Sequence, residues 1–135
     1  MAELSLCADC YQLAIVRKFV AQAGADLDLD DCLISDLQLA IDEACTNVIE
    51  HGYGGQGGEI ELTIEPVEGG LKVILRDWGV PFDPGTVPVP DVTAPLDQRR
   101  LGGLGLYLMR KLMDQVHFEF DSEQGNTLTM FKQLA

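Results

Sequence analysis

A chain of 135 residues with 22 acidic and 9 basic side chains carries a formal net charge of -13, which opposes direct binding to phosphate backbones or anionic membranes. An apolar fraction of 47% and a charged fraction of 23% are those of one globular domain, residues 1–135, with a single core. No apolar run nears the ~20 residues of a membrane span, and MAELSLCADC has neither the basic start nor the apolar stretch of a secretory leader, so a cytoplasmic protein is expected.

Glu3-Leu4-Ser5-Leu6 alternates polar and apolar residues and predicts a short first strand. Asp9 is the candidate N-cap of a helix from about Tyr11 to Ala23, with Leu13, Val16, Phe19 and Val20 as its apolar stripe and Gly24 as its end. After an acidic connector a second helix is predicted from about Asp30 to Glu50. Leu33, Leu37, Ala40, Ile41, Ala44 and Val48 follow its 3.6-residue period. Gly52, Gly54, Gly55, Gly57 and Gly58 then break the pattern.

Glu59–Glu65 alternates cleanly, Glu68-Gly69-Gly70 turns, and Leu71–Asp77 returns, which together predict a hairpin. From Trp78 to Gly105 periodicity vanishes. Five of the six prolines fall there, so a long loop with a functional task is expected. A third helix is predicted over Leu106–Asp114, followed by strands Val116–Phe120 and Thr127–Phe131 around a Gly125-Asn126 turn. This order predicts an α/β fold, a two-layer sandwich of a mixed, mainly antiparallel sheet with helices on one face. Of the four cysteines, Cys7 and Cys10 have metal or redox spacing, but no second close pair follows. Cys32 and Cys45 sit in an apolar helical pattern, so reduced structural thiols are expected.

Three clusters interrupt the apolar design. Glu43, Asn47 and His51 are four residues apart and share one helical face, where polar groups beside a core are costly unless something binds them. Asp77-Trp78-Gly79-Val80-Pro81-Phe82-Asp83 ends a strand, and Gly102-Gly103-Leu104-Gly105-Leu106 starts a helix. Taken singly, these are equally an exposed stripe, a turn and a tight helix start.

In this order, the three clusters resemble the N, G1 and G2 boxes of the ATPase superfamily of gyrase, heat-shock chaperones, sensor histidine kinases and mismatch-repair ATPases. The nearer resemblance is to the anti-sigma-factor serine/threonine kinases of the sporulation and stress-response type. It is carried by Glu43-Ala44-Cys45-Thr46-Asn47, by Glu50-His51-Gly52-Tyr53, and by Gly103-Leu104-Gly105-Leu106-Tyr107-Leu108-Met109 with Leu112-Met113-Asp114 behind it. It runs from about Leu4 to Leu134.

That resemblance implies a Bergerat-type ATP-binding fold, ATP and Mg2+ as cofactors, and a homodimer. It also implies two protein partners, a sigma factor and an anti-anti-sigma protein that becomes phosphorylated on serine. It makes Asn47 the Mg2+ ligand, for which an amide oxygen is a suitable hard donor. It makes Asp77 the acceptor of the adenine amino group, and Thr127 the adenine-pocket threonine that supports Asp77 directly or through a water. Glu43, one turn before Asn47, can then act as general base or positioning group toward a hydroxyl aimed at the γ-phosphate. Gly79 lets backbone approach the base, and Gly103 and Gly105 bring backbone N–H groups to a helix start that favours phosphate. The segment from Pro84 to Leu101 would be a lid, with Arg99 and Arg100 facing phosphate charge. His51 reads as structural, Trp78 as a base neighbour or a core aromatic, and Arg17 as the counterpart of a partner-contacting arginine. Pro81 and Asn126 stand where that family commonly has glycine. Two other readings remain. One is a nucleotide-gated binding module without kinase chemistry, against which Glu43 speaks. The other is a sensor-kinase catalytic domain, against which the lack of a phosphoacceptor helix hairpin speaks.

Overall fold

The structure, a computed structural model, describes residues 1–81 and 101–134. Strand β1 (Ala2–Cys7) alternates exposed and half-buried residues, as a strand with one wet face must. A 3-10 turn, Cys10–Gln12, leads into helix α1 (Leu13–Asp26). Asp9 accepts a 2.9 Å bond from the Tyr11 N–H, so it caps the 3-10 turn, and the Gln12 side chain at the head of α1 makes no capping bond. Gly24, expected to end the helix, is buried inside it. A Cβ there would lie 2.5 Å from Ile34 Cγ1, so this glycine lets two helices touch. The chain instead turns beyond Asp26, where Asp28 adopts a φ of 56°.

Helix α2 (Asp31–Asn47) starts on Asp30, whose Oδ1 accepts from the Leu33 N–H at 2.7 Å. Leu37, Ala40, Ile41 and Ala44 are buried, as their spacing predicts. The helix does not continue as α to Glu50. From Val48 to Gly52 it switches to a π turn, with the Tyr53 N–H bonded to the Val48 carbonyl at 2.9 Å. Such turns recur at functional sites.

The remaining elements are β2 (Glu59–Val67), β3 (Gly70–Asp77), α3 (Leu101–Leu112), β4 (Gln115–Asp121) and β5 (Gly125–Gln133). The sheet order is β1-β2-β3-β5-β4. Every described pairing is antiparallel, so the expected mixed component does not occur among the described residues. Inner-face residues Ile60, Leu62, Val73, Leu75 and Met130 are buried in one core with Val16, Leu37, Ile41 and Met109 from the helices. This is the two-layer α/β sandwich. Because β5 inserts between β3 and β4, the end of β3 meets the start of β5, with Asp77 opposite Asn126.

Two further boundaries differ from expectation. Helix α3 begins at Leu101 and takes in Gly102, Gly103 and Gly105, whose weak helix propensity disguised its first turns. The β4–β5 turn falls at residues 122–124, where Asp121 Oδ1 accepts from the Glu123 and Gln124 N–H groups at 2.8 and 3.3 Å. Gly125 therefore opens β5. Cys7 and Cys32 are exposed free thiols, whereas Cys45 is buried. Burial, aided by the Asp42 carboxylate, pushes the Cys45 thiol up to about 12, which leaves it uncharged and inert. No helix among the described residues is long and apolar enough to cross a membrane.

Candidate functional site

A cavity opens where the C-terminal end of α2 and helix α3 lie over the ends of β3, β4 and β5. Ala44, Val48, Leu75, Met109, Phe118 and Leu128 form its apolar wall, and Asn47, Asp77 and Asn126 are among its polar members. A largely apolar slot with few converging polar groups is the usual form of a small-molecule site.

Asp77 ends β3 and is only 7% exposed. Its Oδ1 accepts two hydrogen bonds of 2.9 Å, one from the Gly79 N–H and one from Asn126 Nδ2. Asn126 Nδ2 also donates to the Gly79 carbonyl at 2.9 Å. Among the described residues no bond reaches Asp77 Oδ2 from a neighbour. Thr127, expected to support Asp77, pairs with Arg76 across the ladder. Successive residues on a strand face opposite sides, so Asn126 rather than Thr127 shares the face of Asp77. Thr127 remains in the cavity wall.

Glycine at 79 is required by the backbone of Gly52. A Cβ at 79 would lie 2.5 Å from the Gly52 carbonyl carbon, and the Val80 N–H bonds the Gly52 carbonyl at 2.7 Å. Tyr53 adds a second tie, its hydroxyl donating to the Glu59 carbonyl at 2.7 Å and accepting from the Trp78 N–H at 2.8 Å. Together these fasten the π turn to the end of β3. Neither Tyr53 nor Asn126 stood out as a supporting group in the sequence. The signal for Asn126 was its register, one residue from the expected threonine. Trp78 is 43% exposed, with the Arg76 guanidinium 5.7 Å from its ring centroid. It lines a groove with Pro81 and Phe120 beside the cavity, so it is not a core aromatic.

Glu43 and Asn47 do come together, and Gly105 of α3 lies against both. A Cβ at 105 would be 3.0 Å from Glu43 Oε2 and 3.4 Å from each of Asn47 Oδ1 and Nδ2. Gly105 thus supplies room. It sits beyond the four leading residues whose N–H groups a helix leaves free, whereas Gly103 is among them. Asn47 is 9% exposed, and its Nδ2 is buried with no hydrogen-bond partner among the described residues. An unpaired buried amide is expensive, and a half-turn about χ2 exchanges its two ends. The Glu43 carboxyl is held above the ordinary carboxylate range, first by burial and then by the Asp42 and Glu50 charges. His51 is exposed, because the π turn ends the α spacing that would have stacked it over Asn47. Arg17 Nε is engaged by Asp42 Oδ2 at 2.7 Å.

The donor set fits a hydrated Mg2+ held by one amide oxygen and by the phosphates it accompanies. Among the described residues no three His, Cys, Asp or Glu groups converge to hold a metal by themselves. Arg99, Arg100 and nearly all of the segment read as a lid lie outside the described residues.

The histidine kinase-like ATPase domain profile matches residues 6–132. Over 134 residues, 96% of this chain, there is 33% identity to the serine-protein kinases RsbW of Bacillus cereus (strain AH820) and Bacillus thuringiensis (strain Al Hakam), and the match covers 82% of each. In three dimensions the chain is similar to the crystal structure of the RsbU and RsbW domains of Rv1364c from Mycobacterium tuberculosis. The TM-score is 0.64 at 18% identity over 99% of this chain, which spans about a third (33%) of that one. At that identity the likeness bears on the fold alone.

Proposed function

The chain belongs to the histidine kinase-like ATPase domain family, and from that premise we propose that it is an ATP-dependent protein serine/threonine kinase acting as an anti-sigma regulatory factor. It phosphorylates a serine of an anti-anti-sigma partner, sequesters a sigma factor, and works as a cytoplasmic homodimer. The observation that carries this reading is the meeting of Glu43 and Asn47 beneath Gly105, next to a cavity whose end wall is the Asp77 carboxylate.

Each residue then has a task. Asp77 accepts a hydrogen bond from the exocyclic amine of adenine. A keto oxygen in that place would face an acceptor instead. The free N–H groups in the first turn of α3, Gly103 among them, receive phosphate oxygens. Asn47 would hold Mg2+, which when bound neutralises charge on the transferring phosphoryl group. Glu43 accepts the serine proton as the hydroxyl attacks, and a carboxyl with raised proton affinity is a better base near neutral pH than an ordinary one. The acid limb of the rate profile accordingly sits higher than for an unperturbed carboxylate. The strongly acidic chain suits a basic segment of a sigma factor.

The test is transfer of label from γ-labelled Mg·ATP to an anti-anti-sigma protein and to its acceptor Ser→Ala variant. Label on the first only is the expected result. Tight ATP binding with no label on either would favour a nucleotide-gated switch without kinase chemistry.

A further inference from the structure

We propose that Asn126 is a positioning residue that sets the purine specificity of this site, an inference that rests on reading the cavity as a nucleotide pocket. The register of β3 and β5 places Asn126 directly opposite Asp77. A side-chain amide has two N–H donors, and both are in use, one on Asp77 Oδ1 and one on the Gly79 carbonyl, each at 2.9 Å. The Gly79 N–H returns to the same Asp77 Oδ1 at 2.9 Å. Asp77, Gly79 and Asn126 therefore close a ring of three hydrogen bonds.

This ring is anchored. Gly79 packs on the Gly52 backbone, and Val80 is hydrogen-bonded to the same residue, so the end of β3 is tied to the π turn. Inside the ring Oδ1 is doubly occupied, which fixes the rotation of the Asp77 carboxylate. Among the described residues nothing occupies Oδ2, which is left as the acceptor for a ligand. An acceptor held in one orientation selects a donor edge, the 6-amino group of adenine, and rejects the 6-keto group of hypoxanthine or guanine. A carboxylate free to rotate would discriminate less, because it could turn its occupied edge or admit a water between itself and a keto oxygen. An alanine at 126 leaves the Gly79 carbonyl and one side of Oδ1 without their partner. A threonine has a single hydroxyl donor and can restore at most one of the two bonds.

The experiment is titration of Mg·ATP and Mg·ITP into the wild-type chain and into Asn126→Ala, Asn126→Thr and Asp77→Asn, with circular dichroism to check that each is folded. ITP differs from ATP in carrying a keto oxygen at position 6. The expected result for Asn126→Ala is about tenfold weaker ATP binding with little change for ITP, so the ATP/ITP preference falls about tenfold. Asn126→Thr should lie between Asn126→Ala and the wild type, and it keeps the test available if the alanine variant fails to fold. Equal weakening of ATP and ITP would mean that Asn126 only packs the cavity and would overturn the inference. An unchanged preference in a folded Asn126→Ala or Asn126→Thr would also overturn it, while a loss of ATP binding in Asp77→Asn would leave the nucleotide pocket standing. Wild-type protein that binds neither nucleotide, or an Asp77→Asn variant that binds ATP normally, would overturn both.

Discussion

Exchanging Glu43 for glutamine is expected to slow phosphotransfer to serine by roughly 10² to 10⁴-fold, the usual contribution of a positioned general base, with Mg·ATP affinity changed by less than about threefold. The two effects separate because Glu43 packs against Asn47 and Gly105 and is not itself one of the residues lining the cavity that Asp77 closes. The same exchange should stabilise the fold at neutral pH. The Glu43 carboxyl is raised by burial and by its neighbours Asp42 and Glu50, so its ionised form is disfavoured in the native state. Above the raised value that charge costs stability. As pH falls through the raised value toward the ordinary carboxylate range, the native state takes up its proton first and the cost disappears. Glu43→Gln should therefore melt higher than the wild type at pH 8, with a smaller gap at pH 5. A residue kept at some cost to the fold is typical of a catalytic position. Undiminished phosphotransfer in this variant would remove Glu43 from the mechanism.

Gly79→Ala should damage both stability and nucleotide binding. The added methyl would meet the Gly52 carbonyl carbon at 2.5 Å, and the obstacle is backbone, which cannot swing aside as a long side chain can. Forcing the two segments apart is expected to cost about 1–3 kcal/mol, as overpacking usually does. It would also break the Val80–Gly52 bond together with the ring joining Asp77, Gly79 and Asn126. Gly54→Ala is the contrasting variant. Among the described residues nothing lies within 4 Å of a Cβ at Gly54, where φ is +59°, so only local strain is added and ATP binding should persist. Urea denaturation and ATP titration of the two variants test this, and a Gly79→Ala protein with wild-type midpoint and affinity would contradict it.

Much of this was legible in sequence where side-chain period decides structure. Leu37, Ala40, Ile41 and Ala44 gave α2, and strict alternation gave the β2–β3 hairpin. The pairing of Glu43 with Asn47 followed from i,i+4 spacing. What escaped is what the period does not record. A π turn changes the hydrogen-bond offset without a marker in the apolar pattern, so His51 was assigned to a face it does not share. Glycines in the first turns of α3 hid the start of that helix, although Gly105 is there to let α3 approach Glu43 and Asn47. Gly24 read as a terminator because its contact with Ile34 is long-range. At the start of β5 a single residue mattered, since exchanging Asn126 for Thr127 moves the side chain to the other face of the sheet.

The most direct test of the central claim, that Asp77 closes an ATP site, is calorimetric titration of Mg·ATP into wild-type protein and Asp77→Asn. An asparagine at 77 removes the charge. It also sets either its amide oxygen or its amide nitrogen against the Gly79 and Asn126 donors, so the bonds around Oδ1 and the acceptor toward the base cannot both be kept. Saturable, Mg2+-dependent binding by the wild type, weakened about 10- to 100-fold in folded Asp77→Asn, is the predicted result. No binding at millimolar ATP by folded wild-type protein, or equal affinity in the two proteins, would contradict it.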